Sequence, residues 1–234
     1  VIIDRFIEQS IKEGVDAVIN LGAGLDTRPY RMSLPESLEW IEVDYPNIIA
    51  HKNELLKRER PKCKLTRVAV DLTVGQKRKE FFDNVVPQAK KVLILTEGVI
   101  PYLSPEQVTE LSTDLLAQQR FTYWITEYFH KKVYRILTKS IRTLKMKNAP
   151  FKFYPEDWFA FFKNLGWVEK ETRYTAEIAV EFNRKPPMPW WAEFIMFFIS
   201  KKMKEESLRL VGYVIFKRDQ KQDNLTDSTI KGAW

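Results

Sequence analysis

Residues Asn20–Arg31 read NLGAGLDTRPYR. The apolar run Ala17–Ile19 leads into Gly22 and Gly24, one residue apart, and Asp26 and Pro29 follow. This is the pattern of a buried strand that ends in a tight turn and feeds a helix. A dinucleotide-binding turn needs G-x-G-x-x-G, with the pyrophosphate seated on the helix N-terminus. Here the third glycine position holds Thr27, and Asp26 puts a carboxylate where the pyrophosphate would sit. A P-loop fails too, because no Gly-Lys-Ser/Thr follows. The turn therefore suits a nucleoside without phosphates. S-adenosylmethionine fits that description, with a positive sulfonium, two ribose hydroxyls and an amino-acid end that glycine backbone can approach closely. A bare G-x-G also serves plain strand–helix packing, and Asp26 reads as a helix N-cap.

Outward from this turn, strands and helices alternate. Strands are expected at 16–22, 37–44, 64–72, 90–98 and 120–128, each a short apolar or alternating run. Helices are expected at 47–59 and 104–119. The second opens on Ser104, with Pro105 at the first helical position and Gln107 completing a capping box. Alternation of this kind argues for a parallel sheet with helices on both faces. Beyond residue 129 the pattern loosens into a basic helix (130–147), a helix closed by Gly166 (154–167), a strand (167–174), an aromatic helix (185–204) and a last strand (210–218). Residues 1–218 are expected to form one domain, with cap-like segments near 130–150 and 185–205, followed by a polar tail, 219–234.

Acids close the expected strands. Asp44 ends the second, Asp71 the third and Glu97 the fourth. In open α/β sheets ligands bind at that edge, and an acid after the second strand can accept both ribose hydroxyls. Singly, each acid is equally a cap or a solvated turn residue. Jointly with the glycine turn, they point to a nucleoside site.

In this order, NLGAGLDTRPYR, EVDYP, VDL and TEGVIPYLSPEQ resemble the leucine carboxyl methyltransferase-like family. That family includes the protein phosphatase 2A methylating enzyme and bacterial O-methyltransferases of polyketide synthesis. The resemblance covers about the first two-thirds of the chain. It implies a class I methyltransferase fold, Rossmann-like, with a seven-stranded, mostly parallel sheet whose last strand is antiparallel. It also implies S-adenosylmethionine as cofactor. Gly22, Ala23 and Gly24 would then line its methionine end and Asp44 would hold the ribose. Asp71 and Leu72 would flank the adenine, and Glu97 would sit near the transfer point. Tyr102 matches a tyrosine that faces the acceptor carboxylate, and equally reads as a tyrosine packed under the next helix. The family's arginine near the cofactor carboxylate is expected upstream of Val1. Arg5 is out of register and takes no such role.

Methyl transfer from a sulfonium asks mainly for positioning. A carboxylate acceptor is already anionic at neutral pH, which suits a chain with two histidines and no evident nucleophile; a hydroxyl acceptor would benefit from a base. A single cysteine, Cys63, rules out an internal disulfide framework, fits a reducing, cytoplasmic setting and leaves no Cys/His metal set. No run is long enough to span a bilayer as a helix. The net charge of +7 raises nucleic acid as a partner, but no amino-methylating Asn/Asp-Pro-Pro-Tyr motif or RNA-binding module accompanies it, so no nucleic-acid partner is expected. The expected partner is a small acceptor, a lipophilic acid being suggested by the basic and aromatic segments. Those segments also admit a shallow membrane-surface contact. The alternatives are an RNA-directed methyltransferase and a catalytically inactive cofactor-binding module.

Overall fold

A computed structural model describes residues 1–133, 151–182 and 208–219. The segments expected to carry the basic helix and the aromatic helix lie almost wholly outside the described residues, as does the polar tail beyond Asp219. In chain order the elements are α1 (Ile2–Lys12), β1 (Ala17–Leu21), α2 (Arg28–Arg31), β2 (Glu39–Asp44), α3 (Pro46–Leu55), β3 (Lys64–Ala69), α4 (Gly75–Asn84), β4 (Val92–Thr96) and a 3-10 turn (Ile100–Tyr102). They continue with α5 (Pro105–Leu116), β5 (Phe121–Phe129), α6 (Trp158–Asn164), β6 (Trp167–Tyr174), α7 (Thr175–Glu181) and β7 (Val211–Arg218).

All seven expected strands form and join one sheet, in the order β3-β2-β1-β4-β5-β7-β6. β1 to β5 pair in parallel, and β7 runs antiparallel between β5 and β6. Central strands β1 and β4 are buried along their whole length, which is why AVINL and VLILT are unbroken apolar runs rather than alternating ones. Edge strand β3 alternates instead. Side chains on one face, among them Ile19, Ile94 and Trp124, pack against Phe82 of α4, Leu111 of α5 and Phe162 of α6. On the other face, Val18, Leu93 and Ile125 meet Ile3, Phe6 and Ile7 of α1. The period of two along each strand thus sorts its residues into two cores.

Ser104 and Gln107 form the expected capping box, with Gln107 N donating to Ser104 Oγ at 3.3 Å and Ser104 N to Gln107 Oε1 at 2.9 Å. Other helices depart from expectation. α3 stops at Leu55, because Lys57–Arg60 are four charges in a row before Pro61 and supply no apolar face for another turn. α6 starts at Trp158, not Tyr154, because Asp157 caps it by accepting from Ala160 N at 2.9 Å. α1, α4 and α7 are additional to the expected helices. Only α1 carries a legible signal, with Ile3, Phe6, Ile7 and Ser10 on one face. α4 buries just Arg78 and Phe82, and α7 buries nothing fully.

Charge ties these layers together. Glu42, fully buried on β2, lies 2.9 Å from Lys52 Nζ of α3 and accepts from Arg67 Nε of β3 at 2.8 Å. Glu13, just past α1, accepts from Lys170 Nζ of β6 at 2.7 Å and Tyr123 Oη of β5 at 2.8 Å. Burial alone would raise the Glu13 carboxyl, but hydrogen bonds from Lys170, Gln9 and Tyr123 outweigh it and bring it down to about 2. A depressed carboxylate stabilises the fold above its ordinary value of 4.5 and ceases to do so as pH falls toward 2. Glu13→Gln is therefore expected to cost about 1 kcal/mol at pH 6, once screening is allowed for, and almost nothing at pH 2. Urea titrations at the two pH values check this.

Candidate functional site

β1 lies between β2 and β4, so the sheet order reverses beside it, and ligands in open α/β sheets bind at that crevice. A cavity of about 300 Å³ opens there. Leu21 and Gly22 from the end of β1, Asp44 from β2, Leu72 and Thr73 after β3, and Gly98, Val99 and Tyr102 after β4 lie around it.

The glycine turn is bound to β2 by its own amides. Gly22 N and Ala23 N both donate to Val43 O, at 2.8 and 3.0 Å. Gly24 N donates to Asp44 Oδ2 at 2.7 Å. Asp26 Oδ1 accepts from Arg28 N at 2.9 Å, at the start of α2. The cap residue proper is Thr27, which makes no side-chain bond, so Asp26 performs the expected capping from one position earlier. Gly22 has φ +69°, and a Cβ there would lie 2.5 Å from Val99 Cγ2. Glycine at 22 is thus demanded twice, by the backbone conformation and by the approach of the β4 turn. Gly24 has φ +44°, with open space around a would-be Cβ.

Asp44 faces the cavity with one oxygen on Gly24 N and the other on Tyr45 N, at 2.7 Å each. Each of its oxygens retains a lone pair for a ligand hydroxyl. Leu72 forms the opposite wall. Its carbonyl is held by Arg78 Nη1 at 2.8 Å, and Arg78 is paired with Asp114 of α5 at 2.6 Å. Asp71 stands outside the cavity wall. Its Oδ1 accepts from Thr73 N and Oγ1, which keeps the carboxyl below the ordinary carboxylate range. Tyr102 shares the cavity with Gly22 and Asp44, and its ring packs on Phe151 at 5.1 Å between centroids.

Glu97 points the other way. It meets Arg28 Nη1 at 2.8 Å and accepts from Tyr213 Oη at 3.4 Å. Arg28 is the residue that the sequence does not advertise. Buried beneath the turn, it also donates to Asp4 Oδ1 at 2.9 Å and Asp26 Oδ2 at 2.7 Å, while Arg31 grips Asp4 at 2.7 Å. Burial, then Asp26 and Glu97, shape its environment, and the acids win: its charge is held firmly. Burial and the neighbouring carboxylates Glu97 and Glu127 push the Tyr213 phenol up to about 12, so it stays a neutral donor. Beside Arg28, Glu97 and Tyr213 runs a second cleft of about 370 Å³, with Ile2, Ile3 and Ile178 as apolar wall. Arg5 lies on the surface against Glu181 at 3.4 Å. Among the described residues no cluster of three or more His, Cys, Asp or Glu could hold a metal, and no helix is long and apolar enough to cross a membrane.

Residues 1–115 match the sequence model of the leucine carboxyl methyltransferase family. The chain is 38% identical over 117 residues to a protein of Parafrankia sp. (strain EAN1pec) provisionally named an S-adenosyl-L-methionine-dependent methyltransferase; the match covers 47% of this chain and 37% of that protein. It is 34% identical over 86 residues to the tetracenomycin polyketide synthesis O-methyltransferase of Streptomyces glaucescens, covering 37% of this chain and 29% of that enzyme. The matched region thus spans under half the length of these relatives. In overall fold the chain is similar to a DUF574 family protein from Streptomyces avermitilis, with TM-score 0.60, 14% identity, and 92% of this chain and 80% of that one covered. It is also similar to the magnesium protoporphyrin IX methyltransferase of Synechocystis PCC 6803 solved with bound SAH, with TM-score 0.51, 10% identity and the same coverages. The fold is that of class I methyltransferases, as the strand order and the antiparallel β7 also state.

Proposed function

Starting from residues 1–115, which carry the pattern of the leucine carboxyl methyltransferase family, we propose that this chain is an S-adenosylmethionine-dependent O-methyltransferase. One observation carries the reading. The amides of Gly22, Ala23 and Gly24 are all spent on β2, and the start of α2 is occupied by Asp26. A phosphate finds none of those three glycine-turn amides free and meets a carboxylate. A ribose finds Asp44, and a flat base finds the wall of Val70, Leu72 and Leu103.

S-adenosylmethionine supplies, when bound, a methyl group already activated by the positive sulfur. The residues then have to hold and orient. Asp44 accepts from ribose hydroxyls, Leu72 and Thr73 flank the base, and Gly22 lets the ligand pass close to the strand end. Glu97 lies one residue from Gly98 in the cavity wall and faces the second cleft, so the two spaces adjoin across the β4 turn. The proposed seat of the acceptor is that cleft. Its isoleucine walls suit a small lipophilic compound. A carboxylate acceptor needs no base at neutral pH, while a hydroxyl could donate to Glu97.

Calorimetry tests the donor site. Both S-adenosylmethionine and its demethylated product are expected to bind, and NADH is not. Asp44→Ala is expected to weaken both adenosyl ligands about 10- to 100-fold, the worth of charge-assisted hydrogen bonds. NADH binding with no binding of the adenosyl pair would reverse the assignment. Turnover against a panel of lipophilic acids, lipophilic phenols and small hydrophilic acids then separates the acceptor classes, and equal rates across the panel sink the lipophilic acceptor.

A further inference from the structure

Glu127 lies on β5, buried, and among the described residues no cation forms an ion pair with it. Its Oε1 accepts from Val99 N at 3.1 Å, and its Oε2 accepts from Thr126 Oγ1 at 3.3 Å. Val99 is the residue whose Cγ2 stands against Gly22, and both Gly98 and Val99 line the cavity. The carboxylate thus holds, from inside the sheet, the turn that forms the β4 side of the donor cavity.

We propose that Glu127 is a positioning residue for the methyl donor: its carboxylate clamps the Gly98–Val99 turn against Gly22, and filling of the cavity is linked to the charge on this carboxylate. The proposal rests on the donor-site reading above. A buried acid without a counter-ion is costly to keep, and it persists where the groups it organises matter. An ionised carboxylate accepts from amides more strongly than a neutral acid does, so the charged form is the one that holds the turn. A cationic ligand close to the turn favours the same form. Among the described residues, the ionisable neighbours are Tyr213 on β7, which interacts with both Glu127 and Glu97, and Glu97 just past β4, with Arg28 of α2 paired to Glu97. Burial pushes the Glu127 carboxyl up to about 7, into the range where its charge responds to ordinary changes of pH.

The sign follows. Ligand binding that prefers the ionised form strengthens as pH rises through about 7 and weakens below it, by up to about 10-fold per pH unit on the acid side. Wild-type chain, Glu127→Gln and Glu127→Met are to be titrated with S-adenosylmethionine from pH 6 to 8, and exchange of the Val99 amide is to be followed without ligand. Glutamine keeps a carbonyl for Val99 N but cannot ionise, so its affinity is expected to be flat with pH where wild type is not. Methionine is expected to unprotect the Val99 amide and to weaken the donor at least about 10-fold at pH 8, with kcat at saturating donor changed far less than KM. A glutamine variant with the wild-type pH profile overturns the proposal, and so does a folded methionine variant with unchanged affinity. If wild type binds no adenosyl ligand at any pH while Val99 stays protected, the donor reading itself has failed. The clamp is then a fold contact only, and the proposal fails with the reading.

Discussion

Gly22→Val is expected to abolish donor binding while leaving the chain folded. Two independent costs meet at this position. The residue sits at φ +69°, where a side chain adds about 1–2 kcal/mol of backbone strain. A Cβ would also stand 2.5 Å from Val99 Cγ2, and overpacking of that kind costs about 1–3 kcal/mol. Relief requires the Val99 turn to back away, and that turn lines the cavity. A loss near 3 kcal/mol in the bound state corresponds to at least about 100-fold in affinity. Calorimetry with S-adenosylmethionine, beside far-UV circular dichroism, measures the two halves of the claim. Retained binding within a few-fold would show that the turn relaxes freely. Gly24→Ala is the internal control. Its φ of +44° is strained, but nothing lies within 4 Å of the added carbon, so a smaller loss is expected.

Arg28→Ala is expected to produce the largest loss of stability of any single substitution in the site. Arg28 is 9% exposed and meets Asp4, Asp26 and Glu97 within 2.9 Å. Its removal leaves three acids crowded under the glycine turn, and among the described residues only Asp4 of the three then keeps cations, the half-exposed Arg31 and the exposed Val1 ammonium. Breaking a buried pair by deleting one partner costs about 3–5 kcal/mol. In a chain of this size each kcal/mol lowers the melting temperature by about 2–4 °C, so a drop of roughly 10 °C is expected. Lysine should recover only part of it, because one ammonium cannot present the forked donors that reach three carboxylates. The pH dependence is specific. Burial tends to raise the Asp4 carboxyl, but hydrogen bonds from Arg31 and Arg28 hold it well below the carboxylate range. Its contribution is therefore present above its ordinary value of 3.8 and lost as pH falls below that. The gap between wild type and Arg28→Ala should close in acid, and a gap that persists at low pH would assign the loss to packing instead. Chemical denaturation across pH 2–7 makes the comparison.

The sheet was legible because its strands are written as apolar runs with terminal punctuation. VLILT between Lys91 and Gly98, and AVINL before Gly22, leave no other reading. The capping box at Ser104 was equally local. α4 was not legible: GQKRKEFFDN begins with the weakest ordinary helix former and is polar apart from Phe81 and Phe82, too few to show a helical period. It is held by Arg78 on Asp114, thirty-six residues away, and by Phe82 in the core. Glu127 has the same character. In RFTYWITEY it falls on the same face as Phe121, Tyr123 and Ile125, but nothing local says what an acid there would bind, and only the arrival of β7 and of the Val99 turn surrounds it.

The sequence by itself determined the strand set and the glycine turn, and argued against a phosphate ligand, because each depends on residues within a dozen positions of one another. Gly22, Asp44 and Leu72 around one cavity followed from those pieces once the strands ran parallel. The tertiary structure alone decided what surrounds them. Asp4, Arg28 and Glu97 are 24 and 69 residues apart along the chain, and no periodicity links them. It also turned Glu97 away from the cavity beside β1 toward a second cleft and left the Asp71 carboxylate outside the wall its neighbour Leu72 builds. The reason is physical. Apolar periodicity is a local property of the chain, while the placing of a charge under a turn depends on which distant strand ends the folded sheet brings beside it.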